Sequence, residues 1–404
     1  MKTQAFTLTQ ENIIYLDHNA TTPLAQSVFD SIPEWSRHWG NPSSIHLAGR
    51  GPKSVLRDAR KQFADLIGSH PLELIFTSGG SESNNLAIQG VLHALQTGQL
   101  KAAKIEGRKK LLYSAVEHPS VVQAMQLAAR LGFDVQTIPV LRCGRIDMEA
   151  LKSLLDESVA LVSVMYANNE TGNIYPVREI ADLVHGVGAL FHCDMVQALG
   201  KAEFNIKELD VDFASFSAHK FYALKGCGVL FCRTGLVLES LIQGGGQERG
   251  RRAGTENILA IAALAKMSEY KSDILKHLGE MKVLRDDLEA QMKARIEGVL
   301  INGEQSARLP NTTSAIIPGV DGESLLMNLD LKGFAVSTGA ACSSGNPEPS
   351  PVLLAMGLSR AEAQSSLRVG LGWGTTKEQI DAFVEALVEV TNRLRSLDQE
   401  GQYV

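Results

Sequence analysis

Between Leu74 and Phe231 the chain repeats one arrangement: a short apolar run, a glycine-rich or polar turn, then apolar residues at helical spacing. Leu74-Ile75-Phe76, Leu111-Leu112-Tyr113-Ser114, Val135 to Val140, Leu161 to Met165, Leu190 to Asp194, Val211 to Phe216 and Gly228-Val229-Leu230-Phe231 read as strands. Helical patterns lie between them through Leu86, Val91 and Leu95, over Met148 to Leu155, and over Val177 to His185. Strands that alternate with helices predict an α/β fold with a mainly parallel, helix-covered sheet, since parallel neighbours need a crossover and its helix must bury an apolar face. Sheets of this kind bind ligands at the C-terminal ends of their strands. Ser81, His118, Asn169, Asp194 and Lys220 each follow a predicted strand, so one site can collect all five.

Ser217-Ala218-His219-Lys220 is the stretch with the clearest chemistry. A lysine just past a strand end is poorly placed for packing, whereas a desolvated lysine loses its proton readily and forms a Schiff base with a carbonyl. Asp194 ends an earlier strand, with Gln197 three residues on. Lys220 as the anchor of pyridoxal phosphate and Asp194 as partner of its ring nitrogen is one reading, because a carboxylate there keeps the pyridine protonated. From this pair alone, an ordinary loop lysine and a strand-end aspartate account for the pattern equally well.

Other segments gain meaning from that pairing. Thr77-Ser78-Gly79-Gly80-Ser81-Glu82-Ser83 joins a strand to a helix, an arrangement that aims free N–H groups at an anion, although taken alone it is more often a simple helix cap. It contains no Walker lysine and no G-x-G-x-x-G. Glu117-His118-Pro119-Ser120 opens a helix, where a histidine either bonds locally or stacks on a planar ring. Trp39-Gly40-Asn41-Pro42-Ser43-Ser44 is a loop in which Asn41 is a turn residue unless a ligand recruits it. Gly244 to Thr255 is rich in glycine and arginine: either a flexible linker or a phosphate or interface contact. The polar segment Gly98 to Lys110 reads as a solvated connection.

Composition narrows the function classes. With 44% hydrophobic and 21% charged residues, net charge -6 and pI near 6.0, the chain exerts no global pull on nucleic acid or anionic membrane. No apolar run is long enough to span a bilayer, and Met1 to Gln10 lacks the order of a secretory signal, so a cytoplasmic location is expected. Five cysteines without a C-x-x-C pair argue against a disulfide framework and a zinc ribbon; no metal is expected. Cys342 differs from the others: it sits in Ser337-Thr338-Gly339-Ala340-Ala341-Cys342-Ser343-Ser344-Gly345, a small-residue loop that exposes a thiol able to act as nucleophile.

Beyond the sheet, Asn257 to Gly298 carries apolar residues at helical spacing and reads as one or two helices leading to a second, smaller unit. That unit takes in Ala315 to Ile317 and Leu325 to Leu329 and closes with a helix from Thr376, for which Thr375 and Glu378 are read as the capping box.

Together, Tyr15-Leu16-Asp17-His18-Asn19-Ala20-Thr21-Thr22-Pro23, Gly40 to Ser44, Thr77 to Asn85, Asn168-Asn169-Glu170-Thr171-Gly172, Ser217 to Lys220, Gly244 to Thr255 and Ser337 to Cys342 resemble the cysteine desulfurases of the NifS/IscS-like group, within the class V aminotransferase family. The resemblance runs from about Tyr15 to the last helix. It implies a pyridoxal-phosphate-dependent transferase of fold type I, with a seven-stranded sheet and a smaller α+β domain. The large cofactor-binding domain would span residues 15–260; residues 1–14 and 261–404 would form the small domain, carrying a catalytic loop at about 337–350. The implied activity converts L-cysteine to L-alanine and a persulfide on Cys342, in a homodimer that passes sulfur to an acceptor protein, an iron–sulfur scaffold or another carrier. A selenocysteine lyase or aminotransferase of the same fold, or a catalytically silent sulfur-carrier subunit, is the alternative.

By the same resemblance Lys220 is the Schiff-base lysine, Asp194 meets the pyridine nitrogen, Gln197 reaches the ring hydroxyl, and His118 stacks on the ring and joins Lys220 and Cys342 as a catalytic residue through proton transfer. Gly80, Ser81, Ser217 and His219 hold the phosphate, with Thr255 contributed across the dimer. Asn169 serves cofactor and substrate, and Asn41, Asn169 and Arg368 hold the substrate carboxylate. Three features depart from the family pattern: Met195-Val196 between Asp194 and Gln197, the long Gly98 to Lys110 connection, and the short stretch after the last helix, which leaves the acceptor open.

Overall fold

A computed structural model describes residues 13–98, 105–338 and 348–399. The chain opens with β1 (Ile14–Tyr15), α1 (Gln26–Trp35) and α2 (Leu47–Ile67). Next come β2 (Leu74–Thr77), α3 (Gly80–Gln96), β3 (Lys110–Ser114), α4 (Pro119–Arg130), β4 (Asp134–Ile138), α5 (Met148–Leu154), β5 (Val159–Ser163) and α6 (Val177–Gly186). They lead to β6 (Leu190–Asp194), α7 (Ile206–Leu209), β7 (Phe213–Ser217) and β8 (Gly228–Cys232). The remainder comprises α8 (Ile258–Lys266), α9 (Ile274–Arg295), β9 (Leu300–Ile301), β10 (Thr312–Ile316), α10 (Gly322–Leu331), β11 (Phe334–Ala335), α11 (Pro351–Ala355), α12 (Arg360–Gln364), β12 (Ser366–Gly370) and α13 (Lys377–Gln399).

The seven predicted strands form one seven-stranded sheet in the order β2-β8-β7-β6-β5-β3-β4. Only β8 runs against its neighbours; β7, β6, β5, β3 and β4 pair in parallel, and β2, antiparallel to β8, points the same way as they do. Side chains alternate between its two faces, as the pleat requires. Leu74, Phe76, Ala214, Phe216, Val229 and Phe231 join one apolar cluster with Phe63 and Ile67 of α2, Ile180 and Val184 of α6, and Ala260, Ile261 and Leu264 of α8. Ile75, Phe213 and Leu230 face the other side and meet α3 and α4 through Leu86, Val91, Val121 and Met125. Burial on both faces accounts for the nearly continuous apolar strands seen in the sequence.

A third cluster surrounds the antiparallel sheet β12-β10-β9 and the parallel pair β1-β11. Leu367 and Val369 of β12, Leu325 of α10, Leu288 of α9, and Phe383, Val384 and Leu387 of α13 fill it. The N-terminal strand thus packs with the C-terminal half of the chain. From there it runs directly into the turn at Asn19 and Ala20, which reaches the large sheet.

The segment at Leu325 to Leu329 is a full helix, α10, capped by Asp321, whose carboxylate accepts from Ser324 N–H. The cap of α13 is one residue later than Thr375 and Glu378: Thr376 Oγ1 accepts from Gln379 N–H while Gln379 Oε1 accepts from Thr376 N–H. Thr375 instead accepts from Gly372 N–H and closes the preceding turn. The glycine and arginine loop is bound down rather than a flexible linker. Arg252 grips Glu82 of α3 with two nitrogens (2.9 and 3.2 Å), Arg251 donates to Leu72 and Leu74 carbonyls, and buried Glu248 pairs with Arg60 while accepting from Phe76 N–H. Among the described residues, no helix is long and apolar enough to cross a membrane.

Candidate active site

The common direction of β2, β3, β5, β6 and β7 brings the turns that follow them to one edge of the sheet. There they line a cavity of about 410 Å³. Ten predicted residues meet in it: Gly80, Ser81, His118, Asn169, Asp194, Gln197, Ser217, His219, Lys220 and Arg368. Asn41 and Thr255 lie outside it and are exposed. Asn41 shapes its own turn, its side-chain oxygen accepting from Ser43 N–H, and Thr255 borders a separate hollow beside Ser78 and Glu248. Cys342 lies outside the described residues.

Lys220 ends a single turn after β7. Its ammonium donates to the backbone carbonyls of Asn19 (2.7 Å) and Ala20 (2.5 Å), so the N-terminal turn holds it in the cavity. Burial, with Arg368 adding repulsion, draws its pKa down to about 8, although Asp17 and Asp194 pull the other way. Two residues on, Tyr222 adopts a left-handed φ of 54°, unusual for a bulky side chain. Its N–H donates to Thr22 Oγ1 and its hydroxyl accepts from Trp373 N–H, contacts that fix the chain just beyond the lysine.

Asp194, the last residue of β6, is 5% exposed and bonded at both oxygens. Oδ1 accepts from Val196 N–H at 2.9 Å, and Oδ2 accepts from the Asn84 amide at 2.7 Å. The same Asn84 nitrogen donates to Ser120 Oγ at 2.8 Å. Ser120 in turn bonds His118 Nδ1 twice, by its hydroxyl at 2.7 Å and its backbone N–H at 3.1 Å. With Nδ1 accepting, the neutral ring carries its proton on Nε2. His118 caps α4, and burial, reinforced by Lys220 against the pull of Asp194, lowers its pKa. The local bond read for this histidine is present, and the ring lines the cavity.

At the other side of the cavity, α3 begins at Gly80 without a side-chain cap. Its free N–H groups and the macrodipole favour an anion there. The backbone is crowded: a Cβ on Gly80 would stand 2.6 Å from Val196 Cγ2 and 3.4 Å from Ser217 Cβ, which is a physical reason for glycine at this position. His219 bonds Thr21 Oγ1 through Nδ1 (3.0 Å); burial and then Lys220, Lys225 and Lys201 press its pKa down to about 4, so its ring is neutral at pH 7. Met195 is fully buried in the sheet core and Val196 lines the cavity, so this departure from small residues shapes the floor between Asp194 and Gln197.

Arg368 arrives from β12. Its Nη2 pairs with Asp17 at 2.8 Å and Nη1 donates to Asn169 O at 3.2 Å, leaving buried Nε without a partner. A guanidinium with an unanswered donor suits a carboxylate ligand. Sequence reading passed over Asn19, Asn84 and Ser120. Asn84 follows Gly80 by four residues, one helical turn, and that spacing was the available signal.

The class-V aminotransferase family model matches residues 14–383. The chain is 41% identical over 391 residues to the cysteine desulfurase IscS of Dictyoglomus turgidum, covering 96% of this chain and 97% of that protein. It is 38% identical over 387 residues to the cysteine desulfurase NifS of Azotobacter vinelandii, covering 95% and 94%. A solved structure of a NifS-like protein superposes with a TM-score of 0.86 at 34% identity, over 94% of this chain and 99% of that one.

Proposed function

We propose, for a chain that belongs to the class-V aminotransferase family and within it to the NifS/IscS cysteine desulfurases, that the cavity holds pyridoxal phosphate and moves the sulfur of L-cysteine to Cys342. The observation that carries this reading is the meeting of a lysine of lowered pKa, a doubly bonded carboxylate, a neutral histidine and an open helix N-terminus in one cavity. The volume, about 410 Å³, falls in the range of cofactor sites. Helix α3 starts at Gly80 without a side-chain cap, and a Cβ there would fill the space beside Val196 and Ser217, a cradle that fits a phosphate.

In this assignment Lys220 Nζ takes the aldehyde and Asp194 the pyridine nitrogen. His118 covers the ring, Gln197 and Asn169 reach its substituents, and Gly80, Ser81, Ser217 and His219 hold the phosphate, joined by Thr255 of the partner subunit in a homodimer. When bound, the cofactor supplies an electron sink for negative charge at the substrate α-carbon. Lys220, with a pKa near 8, is suited to taking the α-proton and returning one, since both its forms are populated close to neutrality. Arg368, Asn169 and Asn41 orient the carboxylate. Cys342 supplies a thiolate: the Cβ–S bond of cysteine breaks, an S–S bond forms, and Cβ keeps the electron pair and gains a proton, giving alanine and a persulfide for an acceptor protein such as an iron–sulfur scaffold.

The test is product analysis with L-cysteine. Wild-type protein should yield alanine and, without acceptor, one persulfide at Cys342 per subunit; Cys342→Ala should bind cofactor and form no persulfide. Persulfide formed at the normal rate by that variant would refute the assignment of the nucleophile.

A further inference from the structure

Lys201 has no part in the chemistry above, yet it is 5% exposed and lies just behind the cavity. Its nitrogen meets three oxygens: His18 O at 3.3 Å, Asn19 Oδ1 at 3.2 Å and Gln197 Oε1 at 2.5 Å. Three acceptors and no donor match the three hydrogens of an ammonium. Burial first, then Lys220 and Arg368, draw its pKa well below that of an ordinary lysine, while Asp17 favours the charge; His18, which also faces it, is held neutral by burial and Lys201, its pKa down to about 3.

The Gln197 amide is trapped between partners of fixed polarity. Nε2 donates to Asn19 O at 3.0 Å, the carbonyl that also accepts from Lys220 Nζ. An ammonium can only donate and a backbone carbonyl can only accept, so with Lys201 charged, turning the amide over would oppose NH₂ to ammonium and oxygen to oxygen. With this orientation enforced, the second hydrogen on Nε2 remains for the cavity that Gln197 lines.

We propose that Lys201 is a positioning residue: its ammonium locks the Gln197 amide so that the site offers the ring oxygen of the bound cofactor a hydrogen-bond donor and never an acceptor. This rests on the cofactor assignment above. A donor favours the anionic ring oxygen; without it that oxygen is more basic and its proton is released at higher pH.

The experiment is a spectrophotometric pH titration of the cofactor-loaded protein. In Lys201→Met and in Gln197→Leu the midpoint of the absorption change should rise by roughly one pH unit or more, the equivalent of one hydrogen bond to a charged group. The double variant should shift no further than Gln197→Leu alone, and Lys201→Arg should restore most of the wild-type midpoint. An unmoved midpoint in Lys201→Met, or a shift that adds in full to that of Gln197→Leu, would overturn the proposal, since a merely structural lysine acts independently of Gln197. Should Lys201→Met fail to fold, Gln197→Glu carries the test. There the locked group presents an acceptor, and the midpoint should exceed that of Gln197→Leu; a midpoint at or below wild type overturns the proposal. Wild-type protein that binds no cofactor defeats the earlier assignment, whereas a normal wild-type chromophore with an indifferent Lys201→Met defeats only this one.

Discussion

Asn84 and Asn85 are adjacent on α3, of the same residue type, and differ in what they hold. The Asn84 amide lies in the interior, donating to Asp194 Oδ2 at 2.7 Å and Ser120 Oγ at 2.8 Å, while half-buried Asn85 donates to Ser81 O at 2.8 Å and accepts from Gln89 at 2.6 Å. Truncation of Asn84 to alanine removes a bond to a charged group, about 1.5–3 kcal/mol, and a neutral one, about 0.5–1.5 kcal/mol. Helix propensity returns about 0.5 kcal/mol in either position. Asn84→Ala should therefore destabilise the apoprotein by about 1.5–4 kcal/mol, and Asn85→Ala, which loses only neutral, partly exposed bonds, by about 1 kcal/mol or less. Urea unfolding of cofactor-free protein, followed by circular dichroism, reads both. Cofactor affinity should fall with Asn84→Ala, because His118 and Asp194 lose the side chain that joins them. Equal unfolding midpoints for the two variants would refute the claim that this buried network organises the site.

Two further outcomes follow from the same geometry. Lys220, with its pKa lowered to about 8, should capture pyridoxal phosphate at a rate that climbs to about pH 8 and then levels; a rate still climbing beyond pH 9.5 would mean an ordinary lysine. Because the folded pKa is depressed, the unfolded chain binds more protons between about pH 8 and 10.4, so this group's contribution to stability rises with pH across that window. Gly80→Ala places a methyl 2.6 Å from Val196 Cγ2 and should weaken cofactor binding about tenfold, the effect of one lost backbone contact. Val196→Ala in the same chain should recover most of it, and no recovery in equilibrium dialysis would point to another cause.

The sheet was legible because its strands are buried on both faces, so each appears as a run such as Leu74-Ile75-Phe76 with a polar turn behind it. The site was legible for the same reason: residues that follow parallel strands share an edge. What escaped notice depends on longer-range contacts. Helix α2 carries Gly49, Gly51 and Pro52 in its first turns, a sequence that argues against a helix until Phe63 and Ile67 pack on the sheet. The two-residue strand β11 has too few residues for a period and exists through its pairing with β1, which was legible as a short apolar run at Ile13 to Leu16. Asn84 is polar on an otherwise apolar face, and only the fold reveals Asp194 and Ser120 opposite it. Asn41 and Thr255, assigned to the site through the family motifs, stand away from the cavity of a single chain, and the role of Thr255 depends on the homodimer proposed above.

The central claim is a covalent cofactor on one lysine, and reductive trapping tests it most directly. Protein incubated with pyridoxal phosphate, reduced with borohydride, digested and analysed by mass spectrometry should carry the pyridoxyl group at Lys220 in near-stoichiometric yield, with Lys201 unmodified. Label absent from Lys220, or scattered over surface lysines, would contradict the account.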